Sequence, residues 1–289
     1  MTPTGERLVN RFGAAGVRVL EAGPAVPDAV DAAAWGHTAG LVLPLRVNPY
    51  FHTLVAEPVG LGAYAQSIGR DLEGDTRASW TRLGSDRAFD LCVAPDGTVR
   101  GVLIGYEEPD RFVSSSPALF AESLLEVDLL LETVTTGEDP ERASAAFQAT
   151  LERLESADPE AFADPDHWWP LVLEDIRTTA GVEAFATFEF AAPDGTRHLV
   201  SESGAICVHP EERTWSRMYA AGVEPEQVTR IHTELEACFM PGHYCSLWLE
   251  LTFPEASLTH NVDYGATVEE RAAGIRELQA AVRSRSGRR

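Results

Sequence analysis

ICVHPEERTW at residues 206–215 is the first of two stretches that indicate how the C-terminal part of this chain folds, and VTRIHTELEACFMPGHYCSLWLELT at residues 228–252 is the second. In the first stretch an apolar run ends at His209-Pro210-Glu211, and Pro is favoured in the first turn of a helix. In the second stretch a strand-like run leads through a Pro-Gly loop into the apolar spacing of a helix that starts at Cys245. The two stretches predict helices that begin next to metal-binding residue types.

The sequence on either side extends this pattern. VEAFATFEFAAPDGTRHLVSESGAICV reads as a hairpin around Pro-Asp-Gly, with an apolar strand end at residues 206–208. SLTHNVDY reads as a further strand, and a final helix follows from Val268. The predicted order is β-β-α-β-α-β-α, which is typical of a sheet covered by helices.

The N-terminal part has a different pattern. AFDLCVA and TVRGVLIGYE flank a second Pro-Asp-Gly and predict a hairpin, in which Cys92 is a small buried apolar residue. Helical spacing begins at Pro117, with Ser114 to Ser116 available as an N-cap. Asp-Pro pairs at 139, 158 and 164 predict further helix starts. This is an α+β arrangement.

Charge and composition limit the possible partners. The chain has 289 residues with 45 acidic and 23 basic side chains, and every basic one is Arg. Residues 101–180 contain 18 acidic and 4 basic residues. A surface this negative repels phosphate backbones and favours a basic protein partner. Because the sequence shows neither a signal peptide nor a run of ~20 apolar residues, we expect a cytoplasmic protein with no membrane contact.

Three side chains near the predicted helix starts form a candidate zinc site. Without a secretion signal, clustered cysteines indicate metal or catalytic groups. His209, Cys238 and Cys245 offer three protein ligands, and a catalytic zinc site keeps a fourth position open for water. Glu211 lies two residues after the His and is predicted to move protons during attack by water.

Other assignments remain open for this site. His232-Thr233-Glu234 repeats the H-x-E pattern, but His232 is too close to Cys238 for a helix and a strand to intervene. His243 is an alternative to Cys245 as a ligand. Cys207 is a possible fourth thiolate, which would close the site and make the zinc structural.

VHPEE, followed by ELEAC and PGHYC, resembles the deaminase-like toxin domains of bacterial polymorphic toxin systems. The resemblance implies that His209, Cys238 and Cys245 bind Zn²⁺ and that Glu211 is the catalytic proton shuttle. Two departures stand out, because Ala237 replaces the usual Pro and six residues separate the cysteines instead of two. The implied fold at 181–289 is an α/β, cytidine-deaminase-like, three-layer domain with a mixed sheet and helices on both faces.

Residues 1–178 resemble the SUKH superfamily of bacterial immunity proteins. The matching pieces are Gly84-Ser85-Asp86, the turn Pro95-Asp96-Gly97, and the run from Phe112 to Ser116. The resemblance implies an α+β SUKH-like domain that binds and neutralises a protein toxin. An acidic face suits that role, since many toxins directed at nucleic acid are basic.

The two resemblances together imply a toxin-immunity protein. We expect the C-terminal domain to deaminate cytosine or adenine hydrolytically, in a nucleotide or in single-stranded nucleic acid. An alternative is a non-catalytic immunity or binding protein in which the deaminase-like domain serves as a scaffold. In a third hypothesis these residues only pack in an ordinary α/β core.

Overall fold

The computed structural model describes residues 2–21, 26–106, 108–137 and 139–286. The chain divides into two compact units, Met1–Val172 and Leu173–Arg289. The point of division falls within one helix, α6. Each unit is described separately below.

Unit 1 combines antiparallel strands with helices, as the sequence predicted. In chain order its elements are α1 (Pro3–Phe12), β1 (Val17–Leu20), α2 (Ala32–Gly36), β2 (Leu41–Pro44), β3 (Arg46–Val47), β4 (Phe51–His52), α3 (Leu61–Ser67), β5 (Thr81–Ser85), β6 (Asp90–Val93), β7 (Val99–Val102), β8 (Arg111–Ser114), α4 (Pro117–Thr136), α5 (Pro140–Ala157) and the start of α6 (Trp168–Gly181). Strands β3 to β8 form a six-stranded sheet in sequence order, and β1 pairs with β2.

The predicted hairpin of unit 1 is strands β6 and β7, which pair antiparallel. Gly97 of its turn has φ +86°, a conformation that side-chain-bearing residues rarely adopt. Gly84 has a different reason to be glycine, because a Cβ there would come within 2.5 Å of the His52 carbonyl oxygen. Cys92 is fully buried in β6, as expected of a small apolar residue.

Helix α4 anchors the core of unit 1. It starts at the predicted Pro117, and Ser116 caps it by accepting a hydrogen bond from the Leu119 amide. Phe120 on this helix contacts the buried rings of Trp168 and Trp169. The pair of tryptophans therefore serves packing within the unit.

Unit 2 reproduces the predicted order of elements. Its strands and helices after α6 are β9 (Phe185–Ala191), β10 (Arg197–Ser203), α7 (Pro210–Ala220), β11 (Val228–Leu235), α8 (Cys245–Thr252), β12 (Ser257–Val262) and α9 (Val268–Ser286). The sheet order is β10-β9-β11-β12. Strands β11 and β12 are parallel, whereas the other pairs are antiparallel.

The parallel pair requires a crossover, which α8 provides between β11 and β12. Helix α7 packs on β9 and β10, and α9 packs on β11 and β12. Ala186 and Phe188 of β9 are fully buried, and the Phe188 ring contacts Phe253 just after α8. The sheet therefore positions α7 and α8, the two helices whose starts carry candidate metal ligands.

Two local predictions were wrong. Residues 206–208 do not continue β10, which ends at Ser203, but form a tight turn closed by a bridge between Ala205 and Val208. Asp164 does not begin a helix. Its carboxylate accepts the Asp166 amide in a local turn, and α6 starts only at Trp168.

None of the helices in the described ranges combines the length and apolar character needed to cross a bilayer.

Candidate metal centre

The three predicted ligands lie at the ends of secondary-structure elements of unit 2. His209 is the N-cap residue of α7, and Cys245 is the first residue of α8. Cys238 follows the end of β11 by three residues. Two helix N-termini therefore face the same point, and their positive ends favour the thiolate form of cysteine.

The structure brings the donor atoms of these residues together. The Sγ atoms of Cys238 and Cys245 each lie 3.4 Å from Nδ1 of His209. All three donor atoms lie within 4.8 Å of one another. Tetrahedral zinc with ordinary bond lengths holds nitrogen and sulfur ligands about 3.6 Å apart. The donor set and its spacing fit a zinc ion.

The unusual six-residue spacer between the cysteines folds back on itself. The amides of His243 and Tyr244 both donate to the Met240 carbonyl, which closes a tight turn. The Cys238 carbonyl accepts hydrogen bonds from the amide and the hydroxyl of Ser246. This turn returns the chain to Cys238, so the long spacer is compatible with convergence of both sulfurs.

The pKa values of the two neighbouring buried thiols are shifted in opposite directions. Burial alone raises a cysteine pKa, but the hydrogen bond from Cys245 and the charge of His209 lower the pKa of Cys238 well below its usual value. Burial and the bond to Cys238 raise the pKa of Cys245 well above it. Cys238 is therefore the more acidic of the two thiols.

Asp175, which the sequence analysis did not identify, is a buried carboxylate that contacts the ring nitrogen of His209 opposite the two sulfurs. Asp175 Oδ1 lies 2.8 Å from Nε2 of His209, and Oδ2 lies 3.1 Å from Nε2 of His243. The two imidazole rings are stacked, with centroids 3.8 Å apart and planes 6° apart. His243 Nδ1 lies 3.2 Å from Glu212 Oε2. His243 therefore contacts the carboxylates around His209.

Glu211 is buried in the first turn of α7. Its Oε2 atom has no hydrogen-bond partner within the described part of the chain. Burial raises the pKa of Glu211 to about 7. A buried carboxylate oxygen with no partner is costly, which is typical of a group kept for chemistry.

A cavity of unit 2 opens beside these residues. Its lining includes His209, Glu211 and Cys238 together with the apolar side chains of Phe185 and Leu278. The charged side chains that line it are the carboxylates of Asp175, Glu211 and Glu236, without any arginine among the lining residues that the structure describes. The lining therefore combines apolar side chains with carboxylates beside the candidate metal ligands.

Two other candidates of the sequence analysis, His232 and Cys207, are not among the donors that converge here within the described ranges. His232 is in β11, with Nδ1 3.0 Å from the Thr259 hydroxyl of β12. The Cys207 amide donates to the Thr179 hydroxyl, and its backbone has φ +55°. Cys207 belongs to none of the groups of potential metal ligands found within the described ranges.

Comparisons with known families agree with both predicted resemblances. The family model of the SUKH-4 immunity protein matches residues 70–175, and that of a Xanthomonas-like deaminase matches residues 181–281. No curated protein and no solved structure matches the chain. The chain therefore carries a SUKH immunity domain followed by a deaminase-like domain, a combination that fits a toxin-immunity system.

Proposed function

We propose that unit 2 is a zinc-dependent hydrolytic deaminase that acts on a nucleobase, either cytosine or adenine. The oxygen of a water molecule adds to the amine-bearing ring carbon, the C–N bond breaks, and ammonia leaves. The observation that carries this proposal is the convergence of His209 Nδ1 with the sulfurs of Cys238 and Cys245 beside a cavity that Glu211 also lines.

Each residue has a separate role in the proposed reaction. His209, Cys238 and Cys245 hold the zinc ion, which as a Lewis acid supplies a water nucleophile at neutral pH. Glu211 takes a proton from the attacking water and gives it to the leaving amine. Its Oε2 atom, which has no hydrogen-bond partner among the described residues, and its position on the cavity wall support that role.

The proposed architecture of unit 2 is the three-layer fold of cytidine deaminases. Support comes from the sheet order β10-β9-β11-β12, with a parallel last pair and a helical crossover. In this arrangement Cys238 follows β11, and His209 and Cys245 lie at the starts of α7 and α8, where backbone amides and helix dipoles concentrate.

For unit 1 we propose binding of a basic protein toxin. The match to the SUKH-4 immunity family and the charge of residues 1–172, which contain 27 acidic and 12 basic side chains, support this role. Oppositely charged surfaces accelerate association and favour the correct partner. If unit 2 is a scaffold instead, the whole chain is a non-catalytic binding protein.

Ammonia release tests the proposed activity. Zinc-loaded full-length protein is incubated with cytosine and adenine, with their nucleosides and nucleotides, and with single-stranded DNA and RNA. The proposal predicts turnover of at least one of these and its loss after removal of zinc by a chelator. If zinc is bound and none of these compounds releases ammonia, the proposed enzyme activity is excluded and the scaffold hypothesis remains.

A further inference from the structure

Asp175 occupies an unusual place in the sequence relative to the site it contacts. It lies on α6, before the segment 181–281 that matches the deaminase family, and it is the last residue of the segment that matches SUKH-4. Its side chain is nevertheless buried in unit 2 against His209 and His243.

The contacts of Asp175 determine which nitrogen of His209 carries the proton. An ionised carboxylate only accepts hydrogen bonds, so Nε2 of His209 donates to Asp175 at 2.8 Å. Loss of the other ring proton on metal binding leaves the lone pair on Nδ1, the nitrogen that faces Cys238 and Cys245. The carboxylate thus selects the tautomer that can bind a metal.

The same carboxylate also fixes the plane of the ligand ring. Its second oxygen accepts from Nε2 of His243, and the two imidazoles stack almost in parallel. Glu212 contacts the other ring nitrogen of His243. Because His243 is buried and held at both nitrogens, the stacked ring restricts rotation of His209 about its side-chain bonds.

We propose that Asp175 and His243 are positioning residues for the metal ligand His209, and that zinc affinity therefore depends on a side chain outside the deaminase-family match. This inference rests on the metal role of His209 in the proposed function. Groups that orient a ligand histidine contribute about 10–100-fold to metal affinity in zinc proteins. We expect a loss of that size from Asp175→Asn, which keeps the shape but removes the charged acceptor.

The test measures metal binding by the full-length chain. Zinc dissociation constants are determined by competition with a chromophoric chelator for wild type, Asp175→Asn and His243→Gln. Cobalt titration reports the ligand set through its thiolate charge-transfer absorption. Glu174→Gln is the matched control, because Glu174 is the adjacent helix residue and its carboxylate pairs with Arg271 instead of the histidines.

We expect both positioning variants to bind zinc about 10–100-fold more weakly, with an unchanged cobalt spectrum at saturation because both sulfurs remain. Glu174→Gln should bind zinc like wild type. Wild-type zinc affinity in Asp175→Asn and His243→Gln, or an equal loss in Glu174→Gln, would overturn the inference. If Asp175→Asn does not fold by circular dichroism, His243→Gln alone decides.

These readouts separate the inference from the proposed enzyme activity. A protein that binds zinc in an Asp175-dependent manner but releases no ammonia removes the enzyme and leaves the positioning role intact. A protein that deaminates but binds zinc equally well without Asp175 excludes the positioning role and keeps the enzyme activity. A wild-type chain that binds no zinc overturns both.

Discussion

The sulfur of Cys238 lies 3.4 Å from Nδ1 of His209, although the two residues are 29 positions apart in the sequence. Helix α7 and strand β11 separate them along the chain, and the sheet brings them back together. Cys245 is at the same distance from the same nitrogen. This convergence is the basis of the proposed zinc chemistry.

Substitution of Glu211 by Gln should separate metal binding from catalysis. Gln is nearly the same size but cannot accept and return a proton, and general acid–base groups typically contribute about 10²–10⁴-fold to rate. We expect Glu211→Gln to retain zinc and to release ammonia about 10²–10⁴-fold more slowly, as measured with the substrate that wild type turns over.

The control for that experiment is Glu174→Gln, a carboxylate that pairs with Arg271 and does not line the cavity. It should keep far more activity than Glu211→Gln. Equal turnover by Glu211→Gln and wild type would refute the proton-shuttle role.

Cys207→Ser tests whether the metal site is open or closed. Cys207 lies in the turn after β10 and is absent from the group formed by His209, Cys238 and Cys245. We expect the variant to bind zinc with wild-type stoichiometry, as measured by elemental analysis. Loss of zinc on this substitution alone would show a four-ligand structural site and contradict the open position that catalysis needs.

The charge of the cavity predicts a preference for substrates without phosphate. Asp175 and Glu236 line it, Glu211 is partly ionised at neutral pH because its pKa is about 7, and like charges repel strongly where the dielectric is low. We expect a nucleoside to have a kcat/KM at least about 10-fold higher than that of its 5′-monophosphate, equivalent to roughly 1.4 kcal/mol. Steady-state assays of the two at several salt concentrations measure this ratio.

Glu236→Gln provides the internal check on this preference. Glu236 accepts the amides of Tyr264 and Gly265, and an amide oxygen can replace the carboxylate in those bonds. The variant should bring the kcat/KM values of the nucleoside and its monophosphate closer together. Faster turnover of the monophosphate by wild type would contradict the electrostatic argument.

In unit 1, the two adjacent tryptophans allow a matched stability comparison. Trp168 Nε1 donates to the buried Asp86 carboxylate at 2.6 Å, whereas Trp169 Nε1 is buried with no partner within the described residues. Trp168→Phe should therefore lower the free energy of unfolding by roughly 1.5–3 kcal/mol more than Trp169→Phe, because a hydrogen bond to a charged group is lost.

Urea unfolding of the full chain, followed by far-UV circular dichroism, measures this difference in the transition of unit 1. Both variants replace a buried indole by a phenyl ring in the same core, so their packing losses are comparable. A larger destabilisation by Trp169→Phe would show that packing, and not the bond to Asp86, dominates at this position.

Much of the fold was predictable because local signals coincide with it. Pro-Asp-Gly marked the hairpin turns, Ser116 marked the start of α4, and the order of elements in unit 2 followed from periodicity. Residues 206–208 misled the prediction, because a short apolar run reads the same in a strand and in a turn. The left-handed backbone of Cys207 has no sequence signal in a non-glycine residue.

The three candidate ligands were named from the sequence, but Asp175, which contacts His209, was not identified. Asp175 comes 34 positions before His209 and belongs to an acidic part of the chain, where its sequence position does not distinguish it from the other carboxylates. A signal did exist, because Asp175 continues the apolar helical stripe of Trp168, Leu171 and Val172. A carboxylate on a buried face must have a partner, and only the fold reveals that the partners are two histidines.

Elemental analysis of the purified chain beside His209→Ala tests whether His209, Cys238 and Cys245 bind zinc. His209 contributes the nitrogen that both sulfurs approach, so its removal should destroy the site while Cys238 and Cys245 remain. We predict about one zinc ion per wild-type chain, as a single three-ligand site requires, and substantially less in the variant. A wild-type protein without zinc, or a variant that retains it in full, would contradict the account.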